Sequence, residues 1–111
     1  MIRRGDVVIA ALTGEAGHKP RPAVIVQDDA LAETTTVLVV PFTSSVEGRL
    51  ISRPLFQPDD ENGLEKPSCL MTDRLMPTNR SSIRDTIGHL SPAEMTRVET
   101  ALLAFLGMAR S

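Results

Sequence analysis

The residues of this chain best suited to chemistry gather around one cation. The stretch His18-Lys19-Pro20-Arg21-Pro22-Ala23-Val24-Ile25-Val26-Gln27 joins a basic, proline-braced loop to an unbroken apolar run. Pro20 fixes its own φ and Pro22 biases Arg21 towards extended backbone, so a long side chain receives a stiff root at the mouth of a core strand. A guanidinium held in this way can stabilise charge developing on phosphoryl oxygens through fixed, forked hydrogen bonds. The plainer expectation for an isolated arginine is an ion pair with Asp28 or Asp29 at a strand edge. Thr43 offers a hydroxyl at the end of the next apolar run, where it either caps a turn or meets a ligand. Arg74, Arg80 and Arg84 line a groove, receive an acidic partner, or form a solvated face. His18 is the one histidine near the basic loop; His89, just before the terminal helix, reads as structural. Cys69 reads as a small buried hydrophobe.

These groups must be positioned by short strands. Asp6 to Leu12 is a first strand after the turn former Gly5, Pro22 to Gln27 a second, and Thr35 to Phe42 a third, rich in β-branched residues. Thr13 to Lys19 is a polar loop between the first two, and Asp28 or Asp29 caps a single helical turn after the second. The second and third strands are apolar at successive positions, which predicts cover on both faces, by the core and by something else, for which a partner subunit is one source in so small a chain. Leu50 to Phe56 is a further strand or pair of short strands, Ser68 to Asp73 a fifth, and Ser82 to Gly88 a weaker sixth. The acidic turn from Gln57 ends in Asn62-Gly63, a pair that favours positive φ. Ser91-Pro92-Ala93-Glu94 has the form of a capping box with proline at the first helical position. Met95, Val98, Leu102 and Phe105 follow at helical spacing as a stripe to pack on the sheet, and Gly107 marks the stop. The fold class is therefore mainly β with α: a small, strongly curved antiparallel sheet or barrel closed by one C-terminal helix.

Composition sets the bounds. The 111 residues fit a single domain spanning 1–111 with a hydrophobic core of its own. Trp and Tyr are absent and only Phe42, Phe56 and Phe105 supply rings, which disfavours recognition of many bases by aromatic stacking. The lone Cys69 has no disulfide or zinc partner, pointing to a reducing, cytoplasmic setting. No apolar run approaches the roughly 20 residues needed to cross a bilayer, and the N-terminus lacks a secretory apolar segment. A net charge of −2 argues against coating nucleic acid, yet ten of the twelve basic residues are Arg, the side chain suited to bidentate phosphate contacts.

Four pieces in order, Arg4-Gly5-Asp6-Val7, Arg21-Pro22-Ala23-Val24-Ile25-Val26, Val40-Pro41-Phe42-Thr43-Ser44 and Ile87-Gly88-His89-Leu90, together resemble the MazF/PemK (Kid) family of toxin ribonucleases from bacterial toxin-antitoxin pairs. The resemblance covers nearly the whole chain. It implies an SH3-like or CcdB-like barrel, a homodimer, and metal-independent, cofactor-free cleavage of single-stranded RNA, in which the 2′-OH attacks the adjacent phosphorus and leaves a 2′,3′-cyclic phosphate. It also implies a cognate antitoxin whose disordered, acidic C-terminal segment competes with RNA, and a protein without a membrane segment. By the same resemblance Arg21 stabilises the phosphate and protonates the leaving 5′-oxygen, Thr43 positions the scissile phosphate, and Asp73 matches an aspartate proposed as general base. His18, Lys19, Ser44 and Arg80 would bind substrate, and no residue would bind metal. The pattern departs at Met71, where the PemK branch has an arginine two residues before the aspartate, and in a shorter loop before Arg21; against the acid–base role stands pairing of Asp73 with Arg74, Arg80 or Arg84, which is the stronger reading. The alternative is a non-enzymatic CcdB-like gyrase poison, which shares the fold and which Leu70-Met71-Thr72-Asp73 and Leu106-Gly107-Met108 resemble. That family carries a tryptophan before the glycine and this chain does not, so the ribonuclease reading leads. A silent barrel that only binds a partner is the third reading.

Overall fold

Runs of β-branched and apolar residues supply the central strands, and Gly5, at φ +93°, turns the chain into the first of them. The computed structural model describes residues 1–12, 19–46 and 53–109. Among them the elements are β1 (Asp6–Ala11), β2 (Pro20–Ile25), β3 (Thr36–Thr43), β4 (Leu55–Phe56), β5 (Ser68–Leu70), β6 (Met76–Asn79), β7 (Ile83–His89) and α1 (Pro92–Phe105). They form one antiparallel sheet in the order β4-β5-β3-β2-β1-β7, with β6 also pairing β3.

β3 is the pivot of that sheet. Its first half, Thr36 to Val39, pairs β6; Val39 to Pro41 pair Ile25 to Ala23 of β2; Phe42 and Thr43 pair Leu70 and Cys69 of β5. A strand that changes partner along its length bends the sheet. The β1–β7 ladder adds to the curl, because its register shifts between Val7 and Val8 and again between Ile9 and Ala10, and such bulges increase local twist. The result is a half-barrel with α1 against it.

The curl explains how both faces of β2 and β3 are buried. Val7, Val24, Val40 and Phe42 face a core completed by Met95 and Val98 of α1, with Phe56 meeting Phe42 edge-on at 5.7 Å. Val8, Ala10, Ala23, Ile25, Val37 and Val39 face the other way, against Ile2, Met76 and Ile83. The two-sided cover expected from sequence is present. Its source is the same chain, curled round so that β6, β7 and the N-terminus close the second face, where a partner subunit was one expected source.

Local rules hold at the turns and the helix. Ser91 Oγ accepts the Glu94 N–H at 3.1 Å while a Glu94 carboxylate oxygen accepts the Ser91 N–H at 2.9 Å, completing the capping box. Gly63 has φ +71°, as Asn-Gly predicts, and a Cβ there would lie 2.1 Å from the Ile87 carbonyl oxygen. Asn62 is fully buried: its amide donates to Gln57 O and Glu94 Oε2, and its Oδ1 accepts the N–H of Asp59 and Leu64. The loop between β4 and β5 is thereby fastened to β7 and to the first turn of α1.

Three expectations need correction. β5 ends at Leu70, and Thr72–Arg74 is a 3₁₀ turn rather than the end of a strand, so Asp73 projects from a turn. β6 has no counterpart in the sequence reading, and β7 is a full seven-residue strand rather than a weak one. Phe105 is 48% exposed, because the apolar stripe of α1 leaves the sheet after Leu102 and the last turn points outward. The loop from Thr13 to His18 and the segment from Glu47 to Ser52 lie outside the described residues, so the strand expected over Leu50 to Phe56 is described only as Leu55–Phe56.

Candidate active site

Arg21 stands on β2 opposite Ala10 of β1. Neither aspartate that could have neutralised it does so. Asp28 accepts the Ala30 N–H at 2.9 Å to cap a 3₁₀ turn, and Asp29 accepts the Arg4 N–H at 2.8 Å. Among the described residues Arg21 makes no ion pair. The β2–β3 ladder runs through Val24↔Val40 to Ala23↔Pro41, and Arg21 and Thr43 each stand two residues beyond its end on their own strand. Both side chains are half-buried and line one cleft of about 650 Å³, together with Lys19, Ser44 and Lys66.

Thr43 meets the plain expectation and keeps its chemical capacity. Its Oγ1 accepts the Ser45 N–H at 3.2 Å, closing the turn after β3. A hydroxyl that accepts in this way still has its own proton to donate, and that O–H is free to rotate towards an acceptor. Thr43 can therefore point an O–H at an anion held by Arg21.

A second cleft of about 400 Å³ adjoins the first, and Arg21 lines both. Its other walls include Leu12, Pro41, Met71, Leu75 and Asp73. Met71, at the position where the resemblance expects an arginine, is buried and contributes only apolar surface. Asp73 is gripped by Arg53, whose Nε and Nη2 donate to the two carboxylate oxygens at 2.7 and 2.8 Å. That fork holds the Asp73 carboxyl below the usual aspartate range; partial burial pushes the other way, while its own backbone N–H and the charges of Arg53 and Arg74 add to the lowering. The partner expected for Asp73 was Arg74, Arg80 or Arg84. It is Arg53, twenty residues earlier in the chain and brought near by the fold.

Of the other expected site residues, Lys19 and Ser44 join Arg21 and Thr43 in the larger cleft. Arg80 lines neither cleft; its Nε donates to the Thr34 carbonyl at 2.6 Å beside a hollow lined by Asp28 and Gln27. His18 lies outside the described residues. His89 bonds Asp6 Oδ1 through Nδ1 at 2.8 Å and packs over Gly5, in keeping with a structural role. Sequence reasoning passed over Lys66 and Arg53. The first carried a signal, since the chain has only two lysines and this one precedes a proline; the second carried none, because its partner is remote in sequence. Among the described residues no three His, Cys, Asp or Glu side chains are grouped so as to hold a metal ion.

Comparison with known proteins identifies the family. Over 97% of its length the chain is 42% identical to a probable endoribonuclease MazF of Mycolicibacterium smegmatis, covering 99% of that protein. Among solved structures it is similar to the Mycobacterium tuberculosis toxin MazF-mt6 (TM-score 0.79, 24% identity, 95% of this chain and 99% of that one). It is also similar to a mycobacterial endoribonuclease solved in complex with its cognate antitoxin (TM-score 0.81, 23% identity, all of both chains). At those identities the two structures speak for the fold alone. None of these comparisons favours the gyrase-poison alternative. With residues 3–106 matched by the model of the PemK-like, MazF-like toxins of type II toxin-antitoxin systems, the chain belongs to that family.

Proposed function

We propose that the protein is an endoribonuclease toxin that cuts single-stranded RNA by attack of a 2′-OH on the adjacent phosphorus, leaving a 2′,3′-cyclic phosphate, without a metal ion. The observation that carries this reading is the position of Arg21: an arginine with no ion-pair partner among the described residues, rooted between two prolines and lining the same cleft as Thr43. Attack by the 2′-OH builds charge on the non-bridging oxygens, and a fixed guanidinium binds that charge more tightly than the ground state. In this reading Thr43 donates its O–H to the same phosphate, Arg21 also delivers a proton to the leaving 5′-oxygen, and Lys19 and Ser44 hold the flanking strand.

Asp73 remains the acid–base candidate by resemblance, and it borders the second cleft within the same site. Its lowered pKa makes it a weak proton acceptor while Arg53 holds it. We therefore assign it first to fixing the wall of that cleft, with proton removal requiring the Arg53 fork to open. The protein acts as a homodimer and is silenced by a cognate antitoxin, whose acidic segment would compete for the same cations.

The decisive experiment incubates the purified chain with single-stranded RNA in EDTA and analyses the ends. Cleavage with cyclic-phosphate termini is expected; Arg21→Ala and Thr43→Ala should each lower the rate by roughly 10²–10³-fold with unchanged circular dichroism. Added antitoxin should stop the reaction. RNA left intact across varied sequences, or cutting only when a divalent metal is present, would count against the proposal.

A further inference from the structure

Both lysines of this chain, Lys19 and Lys66, line the larger cleft beside Arg21. Four of the eight described arginines are occupied elsewhere. Arg4 pairs Glu99, Arg53 pairs Asp73, Arg80 bonds the Thr34 carbonyl, and Arg97 bonds the Leu55 carbonyl while lying over the Phe56 ring. Lys19, Arg21 and Lys66 make no ion pair among the described residues, although Glu65 lines the same cleft. In a protein of net charge −2, three cations against one carboxylate give this hollow a positive balance that suits an anion.

Lys66 differs from a typical surface lysine in its root. Its carbonyl accepts the Ser68 hydroxyl at 2.8 Å, and Pro67 biases it to extended backbone. Two residues before it, Leu64 is buried and its N–H is held by Asn62 Oδ1 at 3.0 Å. Gly63, one residue earlier still, is pressed against the Ile87 carbonyl. The backbone under Lys66 is thus fixed on both sides while the side chain stays exposed, the same design that holds Arg21.

We propose that Lys66 grips a phosphate of the RNA strand flanking the one clamped by Arg21, so that the strand crosses the larger cleft from β2 to the loop before β5. This rests on the ribonuclease reading above. The cleft lining mixes hydroxyls (Thr43, Ser44, Ser45, Ser68) with apolar side chains (Ile9, Phe42, Leu64, Ile87); beside the cations the hydroxyls suit phosphate and ribose oxygens and the apolar part suits the faces of bases, so the occupant is a phosphodiester strand rather than an acidic peptide. Lys66 is a positioning residue here; it binds strand remote from the reacting bond, and its effect falls on KM and on salt dependence.

The test compares wild-type full-length protein with Lys66→Ala and Lys66→Arg on a cleavable single-stranded RNA oligonucleotide at several salt concentrations. Lys66→Ala is expected to raise KM about three- to tenfold at low salt and to reduce the slope of log binding against log salt by about 0.7, the value for one phosphate contact on a single strand. Lys66→Arg should restore both. Oligonucleotides carrying a neutral methylphosphonate at each linkage in turn should reveal one flanking position whose neutralisation weakens wild type but not Lys66→Ala. An unchanged KM and salt slope in Lys66→Ala, or weakening towards an acidic antitoxin peptide alone, overturns the inference while wild-type cutting leaves the ribonuclease reading standing. Wild type that cuts no RNA brings down that reading, and this one with it.

Discussion

Two short hydrogen bonds from one guanidinium decide how Asp73 behaves with pH. Its pKa is lower in the folded chain than in the unfolded one. Between the two values the unfolded state holds more protons, so stability rises with pH across that window; the benefit is complete above the ordinary aspartate value and is lost as pH falls through the folded one. Thermal melts should therefore show wild type above Asp73→Asn at neutral pH, with the gap closing below about pH 4. A gap that persists into acid would contradict the assignment. The same lowering has a catalytic corollary. A carboxylate already ionised far below neutrality cannot shape a rate profile between about pH 6 and pH 8, so any activity lost in Asp73→Asn should be lost by one factor across that range.

At the scale of the element, two glycines separate conformational from steric cost. Gly63 and Gly107 have nearly the same positive φ, +71° and +74°, but a Cβ at Gly107 would meet nothing within 4 Å while one at Gly63 would strike the backbone of β7. Gly107→Ala should cost about 1 kcal/mol, the left-handed penalty alone, and Gly63→Ala should exceed about 3 kcal/mol; urea unfolding of both variants measures the difference. Both glycines were legible in the sequence, one from the Asn-Gly pair and one from the end of a helical stripe, as were the capping box and strands β1 to β3. Those features obey rules that act within a few residues. β6 was not legible, since Met76-Pro77-Thr78-Asn79 has neither an apolar run nor alternation and becomes a strand only because β3 presents it with an edge. The Arg53–Asp73 fork was hidden for the same reason: nothing local joins residues that the fold alone brings together.

For the whole molecule, the curled sheet sets what the proposed dimerisation would have to accomplish. Both faces of β2 and β3 are buried within one chain, so the core does not wait on a second copy. Dilution that separates a homodimer should leave a folded monomer, with sedimentation reporting half the mass while circular dichroism stays native. Loss of secondary structure in step with dissociation would mean that the partner completes the core after all. Much of the site was legible in the same uneven way. Arg21 and Thr43 stand out because prolines and a strand end mark them, while Lys66 acquires meaning only when the turn at Asn62 and Gly63 carries it into the lining of the same cleft.

That turn also bears on how the protein ages. Asn-Gly is chemically fragile in a free chain, because the glycine nitrogen can attack the asparagine side chain and expel ammonia. Here every polar atom of the Asn62 side chain is engaged, with its amide nitrogen fixed between Gln57 O and Glu94 Oε2. The folded chain shields the bond, and the reaction becomes open to molecules that unfold. The aspartate so formed would place a second carboxylate against Glu94 in a buried site, which opposes refolding. Each excursion to the unfolded state thus carries a chance of becoming permanent, and deamidated Asn62 would serve as a chemical record of how often the toxin has come apart.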